Sequence, residues 1–409
     1  MYIRTRLSVM MFLQFFIWGA WYVTVGNYMK AHDMFGQVSW AYTVGPIAAI
    51  ISPFFLGIVA DRFFATERVL ASMHLLGAVA MFAAPFVAES GPWFLIGALF
   101  IHMLAYMPTL GLTNTLAFHN IENQEEDFPF IRVFGTIGWI AANWVVSKWL
   151  NGDETAVQFY VTGIAGVILA VYSITLPHTP PPAAGKKALL REILGVDALR
   201  LLREWSFTVF IVGSFLICIP LAAYFAYAPV YAGKVGFKDI AFVMSSGQIS
   251  EIVFMLLMPW FFRRLGVKWM LIVGMLAWVV RYGLFAAADD DNIRWMIFLG
   301  ILLHGICYDF FFVTGFIYTD KKCTKEIRGQ AQGLLVLVTQ GLGLGIGAQI
   351  VGRLVATYTH GEPPVTDWGS FWLVPTIMAG VVMLVFAALF HDRGDSSEKT
   401  GTPTEDSPS

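Results

Sequence analysis

The run Leu7–Met29, LSVMMFLQFFIWGAWYVTVGNYM, carries no charged side chain anywhere along its length. About 20 mainly apolar residues in a helix cross the hydrocarbon core of a bilayer, so this run is long enough to span one. It is too long for the apolar centre of a cleaved leader, and no small-residue cleavage site appears before Asn27 and Tyr28. Read outward from breaker to breaker, the same pattern recurs at Val38–Ala60, Val69–Val87, Trp93–Phe118, Val133–Trp149 and Val157–Leu176. After a long polar stretch it returns at Phe207–Tyr231, Ile240–Phe262, Trp269–Ala287, Trp295–Tyr318, Ile327–Val351 and Trp372–Phe390. The expectation is an all-α membrane protein with twelve transmembrane helices.

Composition excludes the competing classes. Hydrophobic residues make up 57% of the 409 and charged residues only 13%, a balance that would leave a soluble globule with large exposed apolar patches. Net charge is −2 and no basic run is present to grip phosphates, so no nucleic-acid partner is expected. Cys218, Cys307 and Cys323 form neither a CxxC pair nor a disulfide framework. GxSxG, HExxH, metal-spaced His/Cys sets and a P-loop are all missing from the spans. That speaks against an intramembrane enzyme and against intrinsic ATP-driven transport, and no cofactor or metal is expected. A membrane sensor has little support either, since no soluble signalling domain is attached.

Alternating the loops with the N-terminus inside places eighteen Lys and Arg on that side and six on the other, with Arg132 and Arg281 near or within spans. This asymmetry predicts both termini in the cytoplasm. The segment Pro177–Trp205 separates six spans from six. Its LPHTPPPAAGKK opening and the leucines of KALLREILGVDALRLLRE suggest either an interfacial amphipathic helix or an ordinary linker. The predicted organisation is a first bundle over 1–176, a linker over 177–205, a second bundle over 206–391 and a disordered polar tail over 392–409. Internal echoes support two pseudo-symmetric halves. PFFLGIVADRFFATERV follows the second span and PWFFRRLGVKW the eighth; IRVFGTIGW opens the fifth and IRGQAQGLL the eleventh. Such parallel repeats mark transporters whose halves rock against each other.

Ionisable residues inside a membrane are costly and are functional candidates by default. Here they are His102, Arg132, Glu251, Arg281, His304 and Asp309. Arg132, Thr136 and Trp139 share one face of the fifth helix at i, i+4 and i+7, offering a donor fork, a hydroxyl and a stacking surface. The alternative for Arg132 is an anchor paired with Asp127. Gln248 and Glu251 share a face of the eighth helix. A low-dielectric interior disfavours the charged form of a carboxylate, which makes Glu251 the leading proton-coupling candidate; the alternative is a buried ion pair, with Arg132 as its partner. His304 and Tyr308 share a face of the tenth helix. Asp309 lies about 100° further round and is either a second proton site or a packing residue. Gln14 and Trp18 share a face of the first helix, with Trp18 read as packing, and Asn114 lies on the fourth. His102 and Arg281 are read as structural, and Gly341–Gly347 as a close-packing string.

Several stretches carry a resemblance. GIVADRF, with Gly57, Asp61 and Arg62, is similar to the short loop signature of the major facilitator superfamily, here followed by Arg68 alone. FLQFFIWGAW (Phe12–Trp21), YMPTLGLTNTLAF (Tyr106–Phe118), DFPFIRVFGTIGW (Asp127–Trp139), GQISEIVFMLLMPWF (Gly247–Phe261) and GICYDFFFVTGFIY (Gly305–Tyr318) resemble the nucleoside:proton symporters of that superfamily, in particular the YegT branch. The resemblance covers nearly the whole chain up to the tail. It implies the superfamily fold, with the first, fourth, seventh and tenth helices lining a central cavity and the fifth and eighth meeting across the halves. It also implies substrate contacts at Arg132, Thr136, Trp139, His304 and Tyr308; the residue reading adds Gln248, Glu251, Gln14, Asn114 and Tyr224 as candidate contacts and Glu251 and Asp309 as proton-coupling candidates, and leaves Asp61 and Arg62 either a conformational role or a surface salt bridge. In the seventh helix the chain departs from the pattern, with Leu221 and Tyr224 where the permeases place amides. The implied function is proton-coupled nucleoside import by a monomer in the bacterial cytoplasmic membrane. A sugar or other polar solute stays open as the alternative substrate.

Overall fold

The structure is a computed structural model and describes residues 2–55, 64–181, 196–289, 291–324 and 327–391. Asp61 and Arg62, most of the linker and the tail from 392 onward lie outside the described residues. Among the described residues ten helices are long and apolar enough to cross a membrane. One of them, Ile240–Ala287, turns at Gly266, whose φ of 67° favours a residue without Cβ, and so makes two spans. With Val38–Phe55, whose composition is equally apolar, the described residues hold twelve.

In chain order these are α1 (Tyr2–Ala31), α2 (Val38–Phe55), α3 (Thr66–Ala88), α4 (Pro92–Asn120), α5 (Gln124–Asn143, continued by a π-helical turn over Trp144–Trp149) and α6 (Val157–Thr175). Then follow α7 (Trp205–Lys234), α8 (240–265), α9 (267–287), α10 (Arg294–Lys322), α11 (Arg328–Thr357) and α12 (Trp368–Leu389). Helix is the form that satisfies every backbone N–H and C=O of an apolar segment without water. Large apolar side chains face outward in stripes, as Leu373, Ile377, Val381 and Leu384 do on α12 and Ile164, Ile168 and Val171 on α6. Those faces suit lipid. Among the described residues the only strands are the two-residue pair Thr359–His360 and Val365–Thr366.

Helix ends run further into polar sequence than hydropathy predicts. The largest difference is in α5, which starts at Gln124 rather than Val133 and so places Arg132 more than two turns inside the helix. Where an amphipathic linker helix is one of the two expected forms, residues 182–195 lie outside the described set, and Ala198–Arg203 forms a short 3₁₀ turn.

The packing is pairwise and close. α1 lies against α5 and α6, α3 against α4 and α6, and α2 against α4, while α7 packs on α11 and α12. Gly138 meets the Phe12 backbone, so that a Cβ there would collide with the carbonyl oxygen. The first six helices meet the last six where α2 touches α11, α5 touches α8 and the end of α1 touches α7.

Polar ties across that junction gather toward one end of the molecule. Lys148 pairs with Asp239 at 2.6 Å. The Asp153 carboxylate accepts from Ser147 Oγ (2.9 Å) and, across the junction, from the first backbone N–H of α8 at Ile240 (2.6 Å). Trp144 Nε1 donates to Ser245 Oγ (3.0 Å), and Gln349 Nε2 to Thr43 Oγ1 (2.7 Å). At the opposite end Arg4–Asp127 (2.6 Å), Glu67–His178 (2.9 Å), Arg328–Asp320 (2.6 Å) and Lys322–Glu204 each stay within one set of six.

Candidate substrate cavity

A cavity of about 160 Å³ lies between the two sets of helices. From the first set, α1 supplies Phe15, Trp18 and Tyr22 and α5 supplies Arg132, Thr136 and Trp139. From the second, α8 supplies Gln248 and Glu251, α10 His304 and Tyr308, α11 Gln340 and Leu344, and α7 Leu221 and Phe225. The three helix faces read from spacing therefore converge on one space, although they lie up to 176 residues apart in the chain.

On the α1–α5 wall, the Arg132 guanidinium sits 4.1 Å from the centre of the Phe15 ring, an arrangement that holds a cation against an aromatic face. Trp139 meets Trp18 edge-on with ring centres 5.6 Å apart. The Asn143 amide, oriented with its oxygen toward the indole N–H of Trp139 (3.0 Å) and its nitrogen toward Gly19 O (3.0 Å), fixes that indole. Tyr22 from α1 and Phe225 from α7 meet with centres 6.0 Å apart and roof the cavity toward the tied end. Tyr42 Oη donates to Tyr22 O (2.9 Å) and braces the roof.

The opposite wall depends on an unusually close approach of α8 and α10. Ser250 Oγ accepts from Gly305 N (2.9 Å) and donates to Leu302 O (2.7 Å), in the stretch where α10 is interrupted at Leu303. This register sets His304 Nε2 3.9 Å from Glu251 Oε2. Among the described residues Arg132 makes no ion pair with Glu251 or with Asp127; Asp127 is held by Arg4 instead. Arg132 and Glu251 thus set a guanidinium and a carboxyl group on facing walls with the cavity between them. Gln248 Oε1 is buried without a hydrogen-bond partner among the described residues.

Not every expected residue reaches the cavity. Gln14 is fully buried in a network of its own: it donates to Thr109 Oγ1 (2.7 Å) and meets His74 Nε2 (2.8 Å). Asn114 is absent from the lining. Tyr224 stands one layer back, stacked on His304 with ring centres 5.5 Å apart. Asp309 is fully buried at the start of a π-helical turn, and neither carboxylate oxygen has a hydrogen-bond partner among the described residues. Trp18, expected to pack, both packs and lines. Gln340, Phe15, Tyr22 and Phe225 are lining residues that sequence reading missed. For Gln340 a signal existed, since a neutral amide within an apolar span is a polar group needing a partner; the aromatic residues carry none that separates them from lipid-facing ones.

Chemically the cavity offers aromatic faces, one guanidinium fork, two amides, an imidazole and a carboxylate. That set matches a flat solute with hydrogen-bonding edges. Among the described residues no group of three or more His, Cys, Asp or Glu is placed to hold a metal ion.

The family model described as nucleoside H+ symporter matches residues 1–395. The chain belongs to that family. It is 38% identical over 400 residues to YegT of Escherichia coli (strain K12), covering 95% of this chain and 93% of that one. It is 33% identical over 408 residues to nucleoside permease NupG of the same organism, covering 95% and 96%. A crystal structure of nucleoside transporter NupG superposes with a TM-score of 0.87 at 30% identity, over 95% of this chain and all of that one. This member of the symporter family therefore has the major facilitator fold, as its sequence resemblance implies, and is a multi-pass membrane transporter.

Proposed function

We propose that the protein carries nucleosides into the cell with protons, across the bacterial cytoplasmic membrane, by alternating access between two six-helix bundles, and that it is not an enzyme. The observation that carries this reading is the facing of Arg132 and Glu251 across a cavity walled by Trp139 and Tyr308, in a chain of this family. Trp139 and Tyr308 offer stacking surfaces for a base. Arg132, Thr136, Gln248 and His304 supply donors and acceptors for base and ribose edges. Glu251 takes a proton from the outer side and releases it to the cytoplasm, with Asp309 taking part. With both termini cytoplasmic, the tied end is the outer end, so the structure corresponds to an inward-facing arrangement in which the Asp153 and Lys148 contacts close the outer side.

Binding of nucleosides, nucleobases and simple sugars to the purified protein, by thermal shift and then calorimetry, tests the reading. A nucleoside hit that weakens in both Arg132→Ala and Gln248→Ala supports it. A sugar-only hit removes the nucleoside assignment and makes Leu221 and Tyr224 of α7 the seat of a changed specificity.

A further inference from the structure

Arg281 of α9 is fully buried, and sequence reading treats it as structural. Its Nε donates to Gly300 O of α10 (2.9 Å), but neither Nη1 nor Nη2 has a hydrogen-bond partner among the described residues. No carboxylate pairs with it among them. A guanidinium does not give up its proton in a protein, so this is a permanent cation in a low-dielectric interior. A buried charge without a counter-ion is costly and calls for a reason.

What the guanidinium does touch is a ring. Its carbon lies 4.1 Å from the centre of Tyr224, Tyr224 stacks on His304 at 5.5 Å, and His304 stacks on Tyr308 at 5.8 Å. The column runs from a buried cation to the cavity wall. Tyr224 offers π-density to the cation, which compensates part of its lost hydration. The rest of the field reaches the next ring, and salt screens a buried charge much less than an exposed one.

That next ring belongs to a pair with a choice. His304 Nε2 is 3.9 Å from Glu251 Oε2, near enough that a charge on one bears on the other, so a proton taken up at this place rests on either the imidazole or the carboxyl. Among the described residues, the titratable and charged groups near His304 include Glu251 from α8, Tyr224 from α7, Tyr308, Cys307 and Asp309 on its own helix, Arg281 from α9 and Arg132 across the cavity on α5. An imidazolium at His304 would set a second cation one ring away from Arg281.

We propose that Arg281 is a positioning residue for proton coupling: its buried guanidinium, one tyrosine ring behind His304, adds to the burial of that imidazole in holding it neutral, so that the proton of the pair stays on Glu251. His304 is then neutral where it meets the solute, with Nε2 on the Glu251 side and Nδ1 buried behind it. This rests on the reading of Glu251 as the proton carrier.

The test is nitrogen NMR of the full chain in detergent with labelled histidine, the His304 signal assigned by its loss in His304→Gln. From about pH 5 to 8, the range in which an ordinary imidazole titrates, the parent protein should show neutral His304 throughout. Arg281→Gln should show imidazolium at the acid end, and Arg281→Lys, which restores a cation, should return the signal to neutral. Imidazolium in the parent protein overturns the proposal even if no variant folds; a neutral signal throughout in folded Arg281→Gln overturns it as well. Undiminished gradient-driven accumulation by Glu251→Gln removes the coupling role of Glu251 instead, and that result does not depend on the state of His304.

Discussion

Replacing Gly305 by alanine should weaken solute binding by about fivefold to about a hundredfold. Gly305 follows His304 on α10 and lies flush on the α8 backbone. A Cβ at this position would stand 2.6 Å from both C and O of Ser250 and 2.7 Å from N of Glu251, inside the 3.0 Å that real Cβ atoms respect. All three are backbone atoms, so no side chain can swing aside. Relief comes from parting α8 and α10 at the register that sets Glu251 against His304. Overpacking of this kind costs about 1–3 kcal/mol. If binding must restore the spacing, that cost appears in the affinity at about 1.4 kcal/mol per tenfold. Calorimetry with the solute identified by the binding panel measures it. Two companions separate the causes. Ser250→Ala removes the acceptor of the Gly305 N–H without adding volume, an unsatisfied buried donor worth about 1–3 kcal/mol. Gly97→Ala, where an added Cβ meets nothing within 4 Å, should leave binding unchanged. Folded Gly305→Ala protein that binds within about twofold of its parent, the scale of an inert substitution, would refute the argument that this contact sets the site.

Arg132→Ala should cost about tenfold to a hundredfold in affinity, the worth of a charge-assisted hydrogen bond, and Gln248→Ala about twofold to tenfold, that of a neutral one; titration of each variant reads both. Glu251→Gln should abolish accumulation driven by a proton gradient in proteoliposomes while sparing solute exchange, and accumulation at the parent rate would contradict it. Asp153, in the loop between α5 and α6, gives a pH dependence. Burial against α8 pushes its carboxyl above the usual aspartate range, against the lowering effect of the Ile240 N–H and Ser147. Where the halves part and water reaches it, the ordinary value returns. The closed form thus binds the proton more tightly, and closure of that end should be favoured as pH falls and opposed as it rises. Label-to-label distances between positions 150 and 238 against pH should show that sign, and Asp153→Asn should flatten the curve.

Much of the architecture is legible in one dimension because membrane insertion is a local constraint. A span needs length and apolarity, and both are read residue by residue, which is why the runs beginning with Leu7–Met29 mark the spans of the structure to within a few residues at most ends. The exception at α5 has the same cause. Hydropathy reports what lipid tolerates, whereas the helix continues through polar residues up to Gln124, and Arg132 moves from a helix end to a cavity wall.

Helical periodicity likewise places Arg132 with Thr136 and Trp139, Gln248 with Glu251, and His304 with Tyr308, since residues three or four apart share a face whatever surrounds them. Which faces meet is another matter. The convergence of those three pairs and triplets on one cavity, the retreat of Tyr224 behind His304, the private network of Gln14 and the inclusion of Gln340 all depend on contacts between helices far apart in the chain. So does the pairing of Asp127 with Arg4 in place of its near neighbour Arg132. Backbone contacts such as Gly305 on Ser250 set those distances to tenths of an ångström, and no spacing rule along the chain contains them. Sequence alone determined a twelve-span membrane protein and the polar faces it carries inside; only tertiary packing decided which of those charges look at one another, because that choice is made by the close fit of helix on helix and not by the period of any one.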